Sequence, residues 1–205
     1  MLNDGRGFGA GVTALYPPHD DAFGVGQMID SEENIILVDV EDREIGLAPK
    51  LDAHRQGLRH RAISACVLDR RGRMLLQRRA FGKYHSGGLW TNACCTHPRA
   101  GETVEAAARR RLREELGVDC ELKFVLRTHY RADVGDGLIE DEVVHLFVGE
   151  YEGGVTPDPA EVSGYEWVSR ADLRARIAAY PEAYTYWFRH YMGAHADEMF
   201  SGLAA

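Results

Sequence analysis

One well-capped helix between short apolar runs limits the fold of this chain more than any other feature. The sequence predicts a helix over Val104–Leu116, with Thr103 as its N-cap and Gly117 just past its end. Threonine is favoured at the N-cap of a helix, and glycine is favoured directly after its last residue. Strands are predicted on both sides of it, over residues 35–40, 62–68, 74–77, 89–95, 122–130, 143–151 and 165–168. Strands with helices distributed among them indicate an α/β or α+β layered domain.

Three turn and cap signals complete this outline. Residues 69–72 (Asp-Arg-Arg-Gly) separate two apolar runs and predict a hairpin. Residues 169–172 (Ser-Arg-Ala-Asp) resemble a capping box and predict a second helix, and Pro181 predicts the start of a last helix.

Length and composition indicate one soluble domain. A chain of 205 residues is expected to form a single core, here over residues 31–200, whereas residues 1–30 are rich in glycine and predict a flexible N-terminal extension. The net charge of -8 and the absence of a basic run argue against a nucleic-acid partner. No apolar run reaches bilayer length, and the four cysteines lack the spacing of a disulfide framework, so a cytoplasmic protein without a membrane partner is expected.

Residues 90–98 (Trp-Thr-Asn-Ala-Cys-Cys-Thr-His-Pro) place a thiol and an imidazole two residues apart, at Cys95 and His97. The segment permits thiol chemistry, metal binding and, with the Arg- and Glu-rich helix that follows, anion binding. One interpretation is a structural zinc module of Cys94, Cys95, His97 and an upstream histidine, in which case chelation unfolds the protein.

A second candidate metal site combines acids and histidines. Glu140 and Glu142 enter a predicted strand, where the two-residue period puts both on one face with Cα atoms about 6 to 7 Å apart. His54 and His60 flank Gly57, a spacing that fits no standard zinc module. Paired surface carboxylates and single structural histidines are common, so the set gains weight only where it converges with His97. Converged, it forms a mixed N/O site suited to Mg²⁺, Mn²⁺ or Zn²⁺.

Two further patterns have an ordinary structural interpretation. Arg110 with Glu114 and Arg111 with Glu115 are four residues apart on the predicted helix and predict ion pairs on a solvated face. Helical spacing also predicts an apolar core stripe of Tyr184, Trp187, Phe188, Tyr191 and Met192.

The helix segment nevertheless resembles the Nudix box, the loop-helix-loop signature of a diphosphate-handling superfamily. The resemblance rests on Gly101-Glu102, Arg110-Arg111-Leu112 and residues 114–118 (Glu-Glu-Leu-Gly-Val). Thr96 stands where the box usually opens with glycine, and Arg111 replaces the first glutamate of its Arg-Glu pair. Since a cation grips a diphosphate directly, the box is expected to be kept for binding and altered for cleavage.

Further segments resemble type 1 isopentenyl-diphosphate isomerase. They are residues 50–54, 57–64, 90–98 and 140–142 together with the modified box, in the family's order over about residues 34–190. The resemblance implies a Nudix-type mixed β-sheet layered between helices, with an extra N-terminal strand region. It also implies interconversion of isopentenyl and dimethylallyl diphosphate through a tertiary carbocation, in isoprenoid biosynthesis.

The same resemblance implies the roles of individual residues. The catalytic group is Cys95, Glu142 and Tyr130. A site for Mn²⁺, Mg²⁺ or Zn²⁺ is formed by His54, His60, His97, Glu140 and Glu142. A diphosphate-bridging Mg²⁺ is held by Glu115 and the Cys95 backbone carbonyl, with Glu114 as the alternative to Glu115. The substrate is bound by Lys50, Arg79, Lys83 and Arg111, and Trp187 covers the carbocation with its ring.

We expect Glu142 with Tyr130 to donate the proton in the forward direction and Cys95 to remove the other. Two of the chain's three lysines, Lys50 and Lys83, fall at implied substrate positions. The only partner expected is a small-molecule diphosphate, and no obligatory protein partner is evident. The alternatives are a Nudix hydrolase, which needs the glutamate that Arg111 replaces, and a catalytically silent diphosphate-binding module.

Overall fold

The computed structural model describes residues 33–202. The strands are β1 Asn34–Val38, β2 Glu44–Pro49, β3 His60–Leu68, β4 Arg73–Arg79, β5 Trp90–Asn92, β6 Cys94–Thr96, β7 Leu122–Gly135, β8 Leu138–Glu150 and β9 Val162–Ser169. The helices are α1 Lys50–Gln56, α2 Val104–Leu116, α3 Arg170–Ala179, α4 Tyr186–Ala194 and α5 Ala196–Ser201, with a 3-10 turn over Pro181–Ala183.

All nine described strands form one mixed sheet around β3. This strand runs antiparallel to β1, β4 and β6 and parallel to β8, which in turn pairs with β7 in a long antiparallel hairpin. Strand β4 joins β5 and β9 on the other side. The functional residues described below come from the strands nearest this centre.

Alternate residues of β3 face two different cores, as the two-residue period of a strand requires. Ile63, Ala65 and Val67 pack against α2, in a cluster that includes Leu112 and Leu116. On the opposite face, Ala62, Cys66 and Leu68 belong to the cluster of α4 and α5, with the full apolar stripe predicted for residues 184–192. The sheet is therefore layered between helices, which confirms the predicted fold class.

The predicted caps are present. The Thr103 side chain accepts a hydrogen bond from the Ala106 N–H at 3.2 Å, and Gly117 takes the left-handed conformation at φ 64°. The Ser169 hydroxyl accepts from the Asp172 N–H at 3.1 Å and starts α3. Asp69 closes the β3–β4 turn by accepting from the Arg71 and Arg73 N–H groups.

Two predicted elements were wrong in detail. The single strand over 89–95 is two strands, because the chain leaves β4 at Asn92 and pairs with β3 from Cys94 onward. The helix predicted to start near Pro181 begins at Tyr186, after a 3-10 turn over Pro181–Ala183, since the Thr185 N–H donates to the Trp90 carbonyl at 3.0 Å and keeps the chain extended there. Strand β2 and helices α1 and α5 were not predicted.

Residues 1–30, the predicted extension, lie outside the described residues, so the boundary at residue 31 stays a prediction. Within residues 33–202, no helix combines the length and apolar character needed to cross a bilayer.

Candidate functional site: two joined polar centres

Four secondary-structure elements bring the predicted metal ligands together at one end of β3. Helix α1 carries His54 and ends at Gly57, whose left-handed backbone (φ 59°) turns the chain into β3 at His60. His97 follows β6 directly, and β8 supplies Glu140 and Glu142. One ligand atom from each of four buried residues lies within 4.8 Å of the others: His54, His60, His97 and Glu140.

The hydrogen bonds of the first two histidines aim their Nε2 atoms at this centre. The Nδ1 of His54 donates to the Lys50 carbonyl at 2.5 Å, and that of His60 donates to the Leu58 carbonyl at 2.7 Å. In the neutral imidazole each Nε2 is then unprotonated and presents a lone pair. This tautomer is the one a metal ligand needs.

Charge at the centre also fits a cation. The Nε2 of His54 lies 3.1 Å from Glu140 Oε2, and that of His97 lies 3.0 Å from Glu142 Oε1. His54 Nε2, His60 Nε2 and Glu140 Oε2 are buried without a hydrogen-bond partner within residues 33–202. Two buried carboxylates need a positive counter-charge, and three imidazoles with two carboxylates make a donor set that suits a divalent ion.

The pKa values show the same demand for positive charge. Burial lowers the pKa of His60, but contacts with Glu140 and Glu142 outweigh it and raise that pKa to about 10. Burial lowers the pKa of His97 to about 4, so this ring is neutral at pH 7. Burial opposes ionisation of Glu140, yet the adjacent imidazoles of His54 and His60 outweigh it and hold the Glu140 pKa well below the usual value.

The second centre is the Cys95 thiol, which hydrogen bonds fix in place. Its Sγ donates to Asn92 Oδ1 at 3.2 Å and lies 3.1 Å from Ser64 Oγ. Both N–H groups of the Asn92 amide are used by the carbonyls of Ala65 and Cys94, each at 2.9 Å, so its oxygen faces the thiol. Burial raises the pKa of Cys95 to about 12, so the thiol keeps its proton at neutral pH.

Strand register places the predicted proton-transfer partners side by side. Glu142 lies opposite Tyr130 on β7 and opposite His60 on β3. The Tyr130 hydroxyl donates to Glu142 Oε2 at 2.6 Å, while Glu142 Oε1 faces His97. One carboxylate therefore touches both the metal centre and a phenol that lines the pocket.

Trp187 belongs to the core and to the pocket at once. Its indole N–H donates to Thr91 Oγ1 at 2.8 Å, and the Thr91 hydroxyl donates to Asn92 Oδ1 at 3.1 Å. These bonds link the ring to the amide that holds Cys95. The Arg79 guanidinium lies 5.3 Å from the ring centroid, so the ring already interacts with a cation.

All the predicted cations line one pocket between the two centres, which encloses about 560 Å³ including space open to solvent. Lys50 is the first residue of α1, Arg79 ends β4, Lys83 follows in the next loop and Arg111 projects from α2. Arg79 Nε is buried and has no hydrogen-bond partner in the described part of the chain. Such an unmet donor suits an anionic ligand.

The two adjacent glutamates of α2 differ in place. Glu115 is buried in the pocket wall, accepts from Gln77 Nε2 at 2.8 Å and pairs with Arg111 at 2.8 Å. Glu114 has a side chain 41% exposed, pairs with Arg111 from outside and does not line the pocket. This geometry favours Glu115 as the metal ligand.

The zinc module of Cys94, Cys95 and His97 is not assembled in the described residues. Cys94 is fully buried in the core beneath α2, whereas Cys95 contacts the opposite core and the pocket. Burial raises the pKa of the Cys94 thiol well above its usual value, which opposes the thiolate that zinc requires.

Among the residues of the pocket wall that sequence reasoning missed are His85 and Glu161. His85 Nε2 lies 3.1 Å from Glu140 Oε1, on the carboxylate oxygen that the other histidines leave free. Glu161 Oε2 pairs with Lys83 at 2.6 Å and with Arg111 at 3.3 Å. The one available signal for His85 was its place two residues after Lys83; Glu161, preceding β9, gave none.

Comparisons with known proteins agree with this geometry. Residues 58–188 match the NUDIX domain family. The chain is 50% identical over 156 residues to "Isopentenyl-diphosphate Delta-isomerase 2" of Aromatoleum aromaticum (76% of this chain, 82% of that protein). It is 52% identical over 157 residues to "Isopentenyl-diphosphate Delta-isomerase" of Burkholderia multivorans (77% and 89%). With the protein of that name from Serratia proteamaculans, the identity is 46% over 177 residues (85% and 99%).

Solved structures support the fold alone. A protein of Deinococcus radiodurans superposes with a TM-score of 0.60 at 22% identity, covering 72% of this chain and 90% of its own. A MutT protein of Methanosarcina mazei gives 0.57 at 18% identity, covering 68% and 94%.

Proposed function

The chain belongs to the isopentenyl-diphosphate Delta-isomerase family of NUDIX proteins, and we propose that it interconverts isopentenyl diphosphate and dimethylallyl diphosphate. The observation that carries the proposal is one pocket lined by a thiol, a carboxylate–phenol pair, an aromatic ring and four cations: Cys95, Glu142, Tyr130, Trp187, Lys50, Arg79, Lys83 and Arg111. The expected compartment is the cytoplasm, and the expected partner is the small-molecule diphosphate alone.

The reaction needs two proton transfers with no net change. One group adds a proton to the terminal alkene carbon, which leaves a tertiary carbocation, and a second group removes a proton from the neighbouring methylene. Cys95 and the Glu142–Tyr130 pair supply two such groups. Which of them donates in the forward direction stays a prediction, with Glu142 and Tyr130 as the expected donor.

The resting ionisation states bear on that assignment. Cys95 holds its proton. Burial and the charge of Glu140 raise the pKa of Glu142, but contacts with His60 and His97 outweigh them and lower it, so Glu142 is ionised. For Glu142 to donate first, a proton has to pass to it before the alkene is protonated. The Tyr130 hydroxyl, 2.6 Å away, is positioned to relay that proton.

Trp187 and the cations are proposed to act on different parts of the substrate. The electron-rich face of the Trp187 ring stabilises a developing carbocation and offers no nucleophile to trap it. Lys50, Arg79, Lys83 and Arg111 bind the diphosphate and orient the alkene between the two proton-transfer groups.

Two divalent ions complete the proposal. His54, His60, His97, Glu140 and Glu142 would hold Mn²⁺, Mg²⁺ or Zn²⁺, which fixes the Glu142 carboxylate and offsets its charge. Glu115 and the Cys95 carbonyl would hold a Mg²⁺, which would offset the negative charge of the diphosphate. His85 keeps Glu140 oriented, because its Nδ1 lies 3.2 Å from the Ser86 hydroxyl and leaves Nε2–H to donate to the carboxylate.

The test is incubation with isopentenyl diphosphate and Mg²⁺ in D₂O, followed by NMR. Dimethylallyl diphosphate carrying deuterium is the expected product. Released phosphate would instead indicate a hydrolase, and an unchanged substrate with measurable binding would indicate a silent binding module. A Cys95→Ser preparation serves as the matched control for contaminating isomerase.

A further inference from the structure

We propose that Glu161 makes the pocket select a metal-complexed diphosphate over a free one. The inference rests on the proposed function and extends it to the form of the ligand that is bound. Glu161 lines the same pocket as the cations proposed to bind the diphosphate, and it contacts two of them, Lys83 and Arg111.

Glu161 neutralises two of the four cations at once. Its Oε2 pairs with Lys83 Nζ at 2.6 Å and with Arg111 Nη2 at 3.3 Å, and its side chain is only 20% exposed. The backbone holds it there, since the Ala80 N–H donates to the Glu161 carbonyl and the Glu161 N–H donates to that of Asp158. A free diphosphate that approaches Lys83 and Arg111 is therefore repelled by the Glu161 carboxylate, which is already paired with both side chains.

Glu115 adds a second carboxylate at the same point. Arg111 Nη2 contacts Glu115 Oε1 at 2.8 Å, so oxygens of Glu115 and Glu161 approach the same nitrogen. Gln77 contributes another oxygen, because its Nε2 donates to Glu115 and its Oε1 is buried without a partner in the described residues. Carboxylate and amide oxygens are the ligands that Mg²⁺ prefers.

The oxygens of Glu115 and Glu161 have opposite effects on the binding of a free diphosphate and of a diphosphate complexed with Mg²⁺. A bare diphosphate is repelled by both carboxylates, whereas a diphosphate that carries Mg²⁺ presents a cation to the same oxygens. Glu115 alone would bind a cation but would not neutralise the charge of Lys83, which pairs with Glu161. Glu161 is thus the residue that lowers affinity for the uncomplexed ligand.

The experiment measures binding of inorganic pyrophosphate to the metal-loaded full-length protein, with and without saturating Mg²⁺, by calorimetry. In Glu161→Gln, affinity without Mg²⁺ is expected to rise about tenfold, because one negative charge is lost beside two cations in a partly screened pocket. Affinity with Mg²⁺ is expected to stay equal or fall. The ratio of the two affinities therefore drops at least tenfold.

Glu114→Gln is the matched control, since Glu114 also pairs with Arg111, at 3.0 Å, but from outside the pocket. Its ratio should stay that of the wild type. The inference is overturned where Glu161→Gln binds free pyrophosphate no better, or where Glu114→Gln changes the ratio equally. Failure of the wild type to bind pyrophosphate even with Mg²⁺ would contradict the proposed function itself; a normal wild type with an unaltered Glu161→Gln ratio contradicts only this inference.

Discussion

Replacing His85 by alanine tests whether the proposed metal site depends on a residue outside the proposed set of ligands. His85 is 6% exposed and holds Glu140 Oε1 at 3.1 Å, opposite the oxygen that faces His54 and His60. Burial is the main reason that its pKa is lowered, so the ring is neutral and has one N–H to donate. His85→Ala removes that donor and leaves Glu140 free to rotate.

The size of the effect follows from the bond that is lost. A hydrogen bond to a charged group contributes about 1.5 to 3 kcal/mol, and about 1.4 kcal/mol equals a tenfold change in affinity. Residues that orient metal ligands typically change metal affinity by about 10- to 100-fold. Because water can enter the space and donate to Oε1 in place of the ring, we expect the lower end, about tenfold weaker binding.

The assay is competition for Zn²⁺ or Mn²⁺ between the protein and a chelating dye, repeated on His85→Ala and His85→Gln. Glutamine retains an N–H donor and should recover part of the affinity. His190→Ala is the control, since it removes an imidazole of α4 that lies 3.5 Å from Thr128 and does not line the pocket.

Equal metal affinity in wild type and His85→Ala would refute the orienting role. Weaker binding that comes with unfolding of the metal-free protein would refute it as well, because the loss would then be general. The reasoning therefore also requires that the metal-free variants unfold at the same denaturant concentration as the metal-free wild type.

Three further predictions concern the thiol, a turn and the core. Cys95→Ser should abolish isomerisation in the D₂O assay while metal and pyrophosphate binding persist, with Cys120→Ser as an active thiol control. Burial would raise the pKa of Asp69, but hydrogen bonds from Arg73 outweigh it and lower that pKa; stability from the charge is thus present above pH ~4 and lost as the pH falls further. Asp69→Asn should therefore lower the unfolding free energy by about 0.5 to 1 kcal/mol at pH 7, and a difference that does not shrink as the pH falls below about 4 would contradict this. Leu112→Ala, fully buried beneath the sheet, should cost about 2 to 5 kcal/mol in urea unfolding, whereas Ile45→Ala, at a residue 67% exposed, should change it little.

Local signals in the sequence were sufficient where the chain forms its contacts locally. The caps at Thr103, Gly117 and Ser169 depend on residues at most five positions away, and the structure has each of them as predicted. The start of α4 depends instead on a bond from Thr185 to Trp90, far away in the sequence. No local sequence pattern indicates such a distant partner, so the prediction that used Pro181 placed the start of the helix too early.

The site divides in the same way. Histidines, cysteines and acids at unusual spacings indicated a candidate metal site in the sequence, and the family resemblance implied the role of each residue. The sequence does not indicate Glu161 and His85 as site residues, because their roles depend on contacts that only the folded chain forms. Glu161 precedes a strand like many surface glutamates, and only pairing of β9 with β4 brings it to Lys83.

The replacement at Arg111 changes what the Nudix helix can do with a diphosphate. A glutamate there would add a ligand for metal on the diphosphate side; the arginine instead pairs with Glu114, Glu115 and Glu161. Burial would lower the pKa of Arg111, but Glu115 and Glu161 raise it further, so the guanidinium stays charged at any working pH. In the proposed function, the helix with its carboxylates engaged in this way binds the diphosphate and has one fewer group to activate water against it. The bond that changes would then be in the alkene part of the substrate, next to the pocket-lining residues Cys95, Glu142 and Trp187.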